Sequence, residues 1–259
     1  MAFDVSTFKD KMTGDGARPN LSKVSLTGAT SYFTSSGLEA EFFIRASSIP
    51  GATLGQVVVP YFGREVKFAG NRTFADWSVT VVNDENFKVR SALEQWMDNI
   101  NRHEANVRNA DSIIDYYGKA EVFQLSKSKP DSHLRKYVFE KIFPVDLSDI
   151  TLDWGDNDSI EEFTCTFAYD YWTANSRVGG GTGTKGYYST ATVHQLSKST
   201  TGNTTRSYTF QQMFPTDLSE ITLDWGDNDS IQEFTVTFAY DFWTAATGTG
   251  TPSSSNAIA

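Results

Sequence analysis

The ten residues T-L-D-W-G-D-N-D-S-I occur twice in this chain, at 151–160 and again at 222–231. At that offset of 71 residues the match runs without a gap from 122–174 onto 193–245, with about two-thirds of the positions identical. A constant spacing over such a length means that one structural unit has been copied. The differences between the copies show how the unit is built. Residues 129–134 (K-P-D-S-H-L) face 200–205 (T-T-G-N-T-T) with nothing in common, the behaviour of a surface loop. Near the end of the unit, Phe163, Cys165, Phe167, Tyr169 and Tyr171 alternate with Glu162, Thr164, Thr166, Ala168 and Asp170. That period of two places each set on one face of a β-strand. The second copy holds the same apolar face with Phe234, Val236, Phe238, Tyr240 and Phe242. Both copies are therefore expected to bury it.

Composition sets the outer limits. Among 259 residues, 39% hydrophobic and 14% aromatic content suffices for a substantial core. The single cysteine, Cys165, stands opposite Val236 in the repeat, which predicts a buried, inert thiol rather than a nucleophile. There is no secretory apolar region and no run of about 18 apolar residues, so the expectation is a soluble protein made in the cytoplasm, with no membrane partner. The net charge of -10 is uneven: Asp and Glu outnumber Lys and Arg by 14 to 13 over 1–119, 11 to 5 over 120–175 and 7 to 4 over 176–259. A surface of that sign disfavours phosphate backbones and argues against an ordinary nucleic-acid binder.

Four parts follow from the pattern: a first unit at 1–175, a glycine-rich linker at 176–191, the copied β-subdomain at 192–246 and a Thr/Ser/Gly tail at 247–259. Within the first unit, β-like runs are expected at 21–26, 39–46, 56–69, 74–82, 120–126, 135–142, 148–154 and 160–172, with a Pro/Gly loop at 47–55. One helix is expected over 85–103, with Val89, Leu93, Trp96, Met97 and Ile100 on its packed side, Arg90 and Glu94 on the other, and Asp84 capping its start. Phe143-Pro144 and Phe214-Pro215 recur at the same place in each copy and predict a bulge, since proline donates nothing to a sheet ladder. The copied sheet is too small to stand alone in water, so it must lie on the first unit or on a neighbouring subunit.

No chemistry emerges. The acidic turn at 153–158 crowds carboxylates, but it lacks the glycine and the terminal glutamate of a calcium loop, leaving a structural turn or at most a weak cation site. His103, His133 and His194 have no companions at metal-binding spacing, Glu161-Glu162 becomes Gln232-Glu233 in the copy, and no phosphate loop or nucleophile elbow is present. No catalytic residue, metal or cofactor is expected. The repeated Trp154/Trp225 and Trp172/Trp243 are read as packing residues, with stacking platforms as the other possibility.

The ordered segments A-R-P-N-L at 17–21, A-G-N-R-T-F-A-D-W-S-V-T-V-V-N-D-E at 69–85, the helix bearing Trp96, F-P at Phe143, L-D-W at 152–154 and Y-D-Y-W at 169–172 resemble the tail tube proteins of contractile-tailed bacteriophages. The similarity spans about 15–173, and everything after Asn175 departs from the family's usual ending. It implies a mainly antiparallel β-barrel or sandwich with one flanking helix, to which the copied sheet is appended.

It further implies a non-enzymatic virion protein forming homohexameric rings stacked into a tube, assembled in the host cytoplasm. The expected partners are other copies of the chain, the sheath, the baseplate and the tail terminator. Viral DNA passes through a negatively lined lumen without tight binding. The long loop between the second and third strands maps onto 47–63 and assigns ring stacking to Pro50, Gly51, Val57, Val58, Val59 and Phe62. The extra copy is expected on the outside of the ring. The rival reading is a β-rich surface module holding a glycan or a cation.

Overall fold

Alternation of apolar and polar residues dominates the chain, and strands dominate the structure. The computed structural model describes residues 9, 11, 12, 16–27, 43–107, 116–127, 133–155, 159–176, 188–196, 204–226 and 231–247. Among these the first unit supplies β1 (Ser22–Thr27), β2 (Ile44–Ile49), β3 (Ala52–Tyr61), β4 (Arg64–Thr73), β5 (Trp77–Val82), β6 (Gly118–Leu125), β7 (His133–Leu147), β8 (Glu162–Ala168) and β9 (Tyr171–Ser176). The copy supplies β10 (Ser189–Leu196), β11 (Thr204–Leu218), β12 (Ile221–Asp224), β13 (Val236–Ala239) and β14 (Phe242–Thr247). Helix α1 (Lys88–Ile100) lies between β5 and β6. Every strand pairing among the described residues is antiparallel.

The eight-stranded sheet runs β1-β6-β7-β8-β5-β2-β12, with β9 also on β7. Its inward residues, among them Val79, Val81, Phe139, Ile142, Phe163 and Phe167, form the core with Val89, Ala92, Leu93 and Trp96 of α1. Trp77 stacks on Phe139 at a centroid distance of 4.6 Å and donates its indole N–H to the Ser48 carbonyl at 2.8 Å, so even this polar group is satisfied in the interior. Helix α1 is shorter than the expected 85–103. Phe87, with φ of 51°, precedes its first turn, and Asp84 still serves the start by accepting a hydrogen bond from the Lys88 N–H at 2.9 Å.

The repeat is geometrical as well as sequential. Both copies shift register at the same place, between Pro144 and Asp146 against β8 and between Pro215 and Asp217 against β13, which is the bulge the prolines predict. Lys141 and Gln212, 71 positions apart, both take positive φ, at 56° and 52°. Ser148 and Ser219 each donate a hydroxyl proton to the next residue's carbonyl and accept the amide of Thr164 or Thr235 at 2.9 Å.

Several expectations are corrected. Residues 56–69 are not one strand: the chain reverses at Phe62-Gly63, and 52–61 pairs with 64–73 as a hairpin. The loop expected at 47–55 is instead the end of β2 and the start of β3, joined through Pro50-Gly51. Residues 160–172 break after Ala168, so Tyr169 and Tyr171 do not continue the β8 face. Residues 148–154 form no strand, although their copy does. Burial of the repeated apolar face also fails in the second copy, where Phe234 is 57% exposed against 2% for Phe163. Helix α1 covers that face in the first copy, with Trp96 against Phe167 and Arg90 over Phe163, and β5 pairs alongside β8; the repeat begins too late in the chain to duplicate either. Of the variable loop expected at 129–134 and 200–205, residues 129–132 and 200–203 lie outside the described residues, while 133–134 open β7 and 204–205 open β11. Of the linker expected at 176–191, residues 177–187 lie outside them, Ser176 ends β9 and 189–191 open β10.

Candidate functional site

Residues 222–225 and 151–154 have the same sequence, T-L-D-W, and the structure gives them different surroundings. In the second copy, Ile221, Thr222, Leu223 and Asp224 pair with Ile49, Ser48, Ser47 and Ala46 and so extend the eight-stranded sheet. Leu223 is fully buried there, whereas Leu152 is 78% exposed. Burying a leucine contributes roughly 1.5–3 kcal/mol, which the first copy forgoes. Trp154 is entirely exposed, and Trp225 is 38% exposed.

The edge that receives the copy is built by β2 and the start of β3. Asp217 and Leu218 pair with Thr53 and Ala52, and the Thr53 hydroxyl donates to Asp217 Oδ1 at 2.9 Å. A side chain on Gly51 would meet the Leu218 carbonyl oxygen at 2.6 Å, so the close approach of the two backbones requires glycine. Arg45 joins the copies: it pairs with Glu162 of the first through its Nη1 and lies 3.6 Å from Asp224 Oδ2 of the second. The hydrogen bond to Glu162, with the charges of both carboxylates, holds the guanidinium above its ordinary range. At the far end Gln232 donates its amide to Gln124 Oε1 at 2.8 Å, and its backbone N–H donates to the Ala17 carbonyl at 3.2 Å. The seam does not close completely, since a cleft of about 380 Å³ remains beside Leu54, Arg72, Trp172 and Phe238.

The six residues expected to stack rings divide between two environments. Val57, Val58 and Val59 are exposed along β3, and Phe62 at the hairpin tip is 91% exposed beside Tyr61. Pro50 is buried, and Gly51 lies under the repeat. The two-residue turn has positive φ at both Phe62 (48°) and Gly63 (76°), as a type I′ hairpin demands. Pairing of β11 with β3 joins the hairpin and the copy in one six-stranded sheet ordered β10-β11-β3-β4, with β13 and β14 also on β11, and the Tyr188 hydroxyl donates to the Lys67 carbonyl of β4 at 3.3 Å. Sequence reasoning missed Arg45, which carried no motif. It also missed the use of Gln232, although its difference from Glu161 was a visible signal.

The remaining groups are structural. Burial pushes the Cys165 thiol up to about 12, and its sulfur lies in the core as expected. His103 is paired with Asp98 at 3.3 Å and His133 packs edge-on against Phe123. Asp153 and Asp224 each turn back to accept the amide of Gly155 or Gly226 at 2.8 Å. Residues 156–158 of the acidic turn lie outside the described residues. Among the described residues no group of three or more His, Cys, Asp or Glu is placed to hold a metal, and no helix is long and apolar enough to cross a membrane.

Among the described residues, two antiparallel sheets, one packed helix and an exposed apolar hairpin define an all-antiparallel β-protein of structural type. A family model described as "Phage tail tube protein" matches residues 6–175 and 183–246. The chain belongs to the phage tail tube protein family, as a structural component of the virion tail and not an enzyme. It is 30% identical over 160 residues to the tail tube protein gp19 of Enterobacteria phage T4, covering 62% of this chain and 93% of that one. The tail tube protein of Serratia phage KSP90 is 30% identical over 123 residues, covering 48% of this chain and 68% of its relative. Among solved structures, the tube-terminating cap of the anti-feeding prophage overlaps 52% of this chain and 80% of its own, with 15% identity and a TM-score of 0.41. That overlap adds no argument to the sequence match.

Proposed function

We propose that this chain forms hexameric rings that stack into the inner tube of a contractile phage tail, a conduit through which DNA is ejected. The family match across 6–175, a complete first unit, is the observation that carries this reading. Its physical support is the pair of sheet edges, because joining subunits edge to edge around a ring removes edges that would otherwise drive uncontrolled pairing. The partners are other copies of the chain, with the sheath, the baseplate and the tail terminator around and at the ends of the tube.

The hairpin bearing Val57, Val58, Val59 and Phe62 supplies the ring-stacking contact, since exposed apolar side chains at its tip gain burial only against another molecule. Pro50 and Gly51 act at its base. The acidic surface lines the lumen, where weak repulsion of phosphates favours passage and each Lys or Arg contact would retard it. The glycine-rich stretch between β9 and β10 tethers the C-terminal copy, which in the assembled tube lies outside the ring and leaves the passage clear.

Electron microscopy of the purified full-length chain, with light scattering for mass, tests the proposal. Stacked six-membered rings are expected. A persistent monomer at all concentrations, or a ring with a positively charged lumen, overturns it.

A further inference from the structure

Among the described residues, two copies of one strand-forming segment face one edge that receives it. The repeat begins at Val122, so β2, β3, β5 and α1 have no second version. In the free subunit the C-terminal copy occupies the β2/β3 edge; in the first copy Asp146 and Leu147 keep their pairing with β8 and Ile150 packs on the core, while residues 151–154 stay exposed with no strand beside them.

The first copy's segment is already shaped for the same edge, with its second side still open. Asp217, Leu218, Ile221, Thr222, Leu223 and Asp224 make the strand contacts with β2 and β3. Their counterparts Asp146, Leu147, Ile150, Thr151, Leu152 and Asp153 are the same residue types throughout. The local frame matches as well: the serine bridges, the Asx turns and the bulges agree in both copies. Arg90 of α1 holds the Ser148 carbonyl at 2.9 Å, fixing the point from which the first segment leaves the core.

One contact differs. Gln124 spends its own amide protons on the carbonyls of Arg18 and Leu21, at 2.8 and 2.9 Å, which leaves its side-chain oxygen needing a donor. Gln232 is a donor, and the residue at the same place in the first copy, Glu161, is a carboxylate that accepts from Asn83 at 3.0 Å. A second chain can reproduce the strand pairing on β2 and β3 but not this bond.

Resting on the ring reading above, we propose that the β2/β3 edge is the docking site for residues 146–154 of a second copy of this chain. The C-terminal repeat is its stand-in, closing the edge of the free subunit until a neighbour displaces it. Being on the same chain, the stand-in acts at an effective concentration on the order of millimolar, so isolated subunits stay closed. A growing tube offers each arriving subunit contacts on both sides of a ring as well as with the ring below, and these offset the exchange. The Gln232 bond biases the free chain toward the closed state and sets the threshold for assembly.

Ser48 and Thr222 are directly paired across the seam on its outer face, and antiparallel partners lie within disulfide reach. In the full-length chain, Ser48→Cys with Thr222→Cys is expected to remain monomeric when oxidised and to form rings and tubes when reduced, as read by sedimentation and microscopy. Tubes formed equally well by the oxidised protein overturn the exchange alone. Wild-type protein that forms no rings overturns the tube reading and the exchange with it. In a second variant, Gln232→Glu opposes a carboxylate to the Gln124 oxygen and is expected to lower the concentration at which tubes appear by about three- to tenfold. An unchanged or higher threshold is evidence against the closed state and overturns it.

Discussion

The Leu218 carbonyl oxygen lies 2.6 Å from where a Cβ on Gly51 would stand, closer than such atoms approach in folded proteins. Both partners in this contact are backbone, so neither can swing aside. Gly51→Ala is therefore expected to push the C-terminal repeat off the β2/β3 edge. The expected cost is about 1–3 kcal/mol of docking free energy, in the range of overpacked contacts. Faster amide exchange across β12 with unchanged protection in β5 and β8 is the outcome that checks it.

The two leucines of the repeated peptide give an internal control. Leu223→Ala removes a fully buried side chain and is expected to weaken docking of the repeat by about 2–5 kcal/mol. Leu152→Ala alters an exposed one and is expected to move the stability of the free subunit by no more than about 0.5 kcal/mol. Urea denaturation of the monomer separates them. Assembly should respond to the Leu152 change even though stability does not.

At the hairpin tip, Phe62 occupies a left-handed conformation with φ of 48°, which favours asparagine over a bulky side chain. Phe62→Asn is thus expected to preserve or slightly raise thermal stability while removing the exposed ring. Shorter tubes, or rings that no longer stack, together with an unchanged melting temperature, are the expected result.

Burial disfavours the thiolate and pushes Cys165 up to about 12 from an ordinary value of 9.0, and Tyr169 is likewise pushed up to about 12 from 10.0, chiefly by burial. Both groups are neutral in folded and unfolded chains below about pH 9, where their contribution is fully present. As pH rises toward 12 the unfolded chain releases these protons first, so stability falls across that window. Cys165→Val, the residue the copy already has at Val236, is expected to reduce the loss between pH 9 and 12. Denaturant midpoints across that range check it, and alkylation of Cys165 is expected only on unfolding.

The periodic parts of the fold were legible in the sequence because they report on local physics. The alternation around Phe163 placed β8, the spacing of Val89, Leu93 and Trp96 placed α1, and the recurrent prolines placed the two bulges. The hairpin was less legible: Phe62-Gly63 is not a usual two-residue turn pair, and a run with valines on both faces reads as one long strand. Four of the six expected stacking residues lie on its exposed part, and Pro50 and Gly51 serve the seam below it. Arg45 was silent because a lone cation in a strand has no signature until Glu162 and Asp224 converge on it.

The sequence by itself determined that a unit had been copied, which of its residues share one face of a strand, and which family the chain resembles. Only the tertiary structure decided what each copy does. T-L-D-W is a strand at 222–225 up to Asp224, where β2 supplies hydrogen-bond partners, and is no strand at 151–154, where none stands beside it. Phe163 is covered and Phe234 is not, because α1 and β5 serve one copy and not the other. A β-strand draws its hydrogen bonds, and an apolar face its burial, from residues distant in sequence. Identical peptides therefore differ once their neighbours differ.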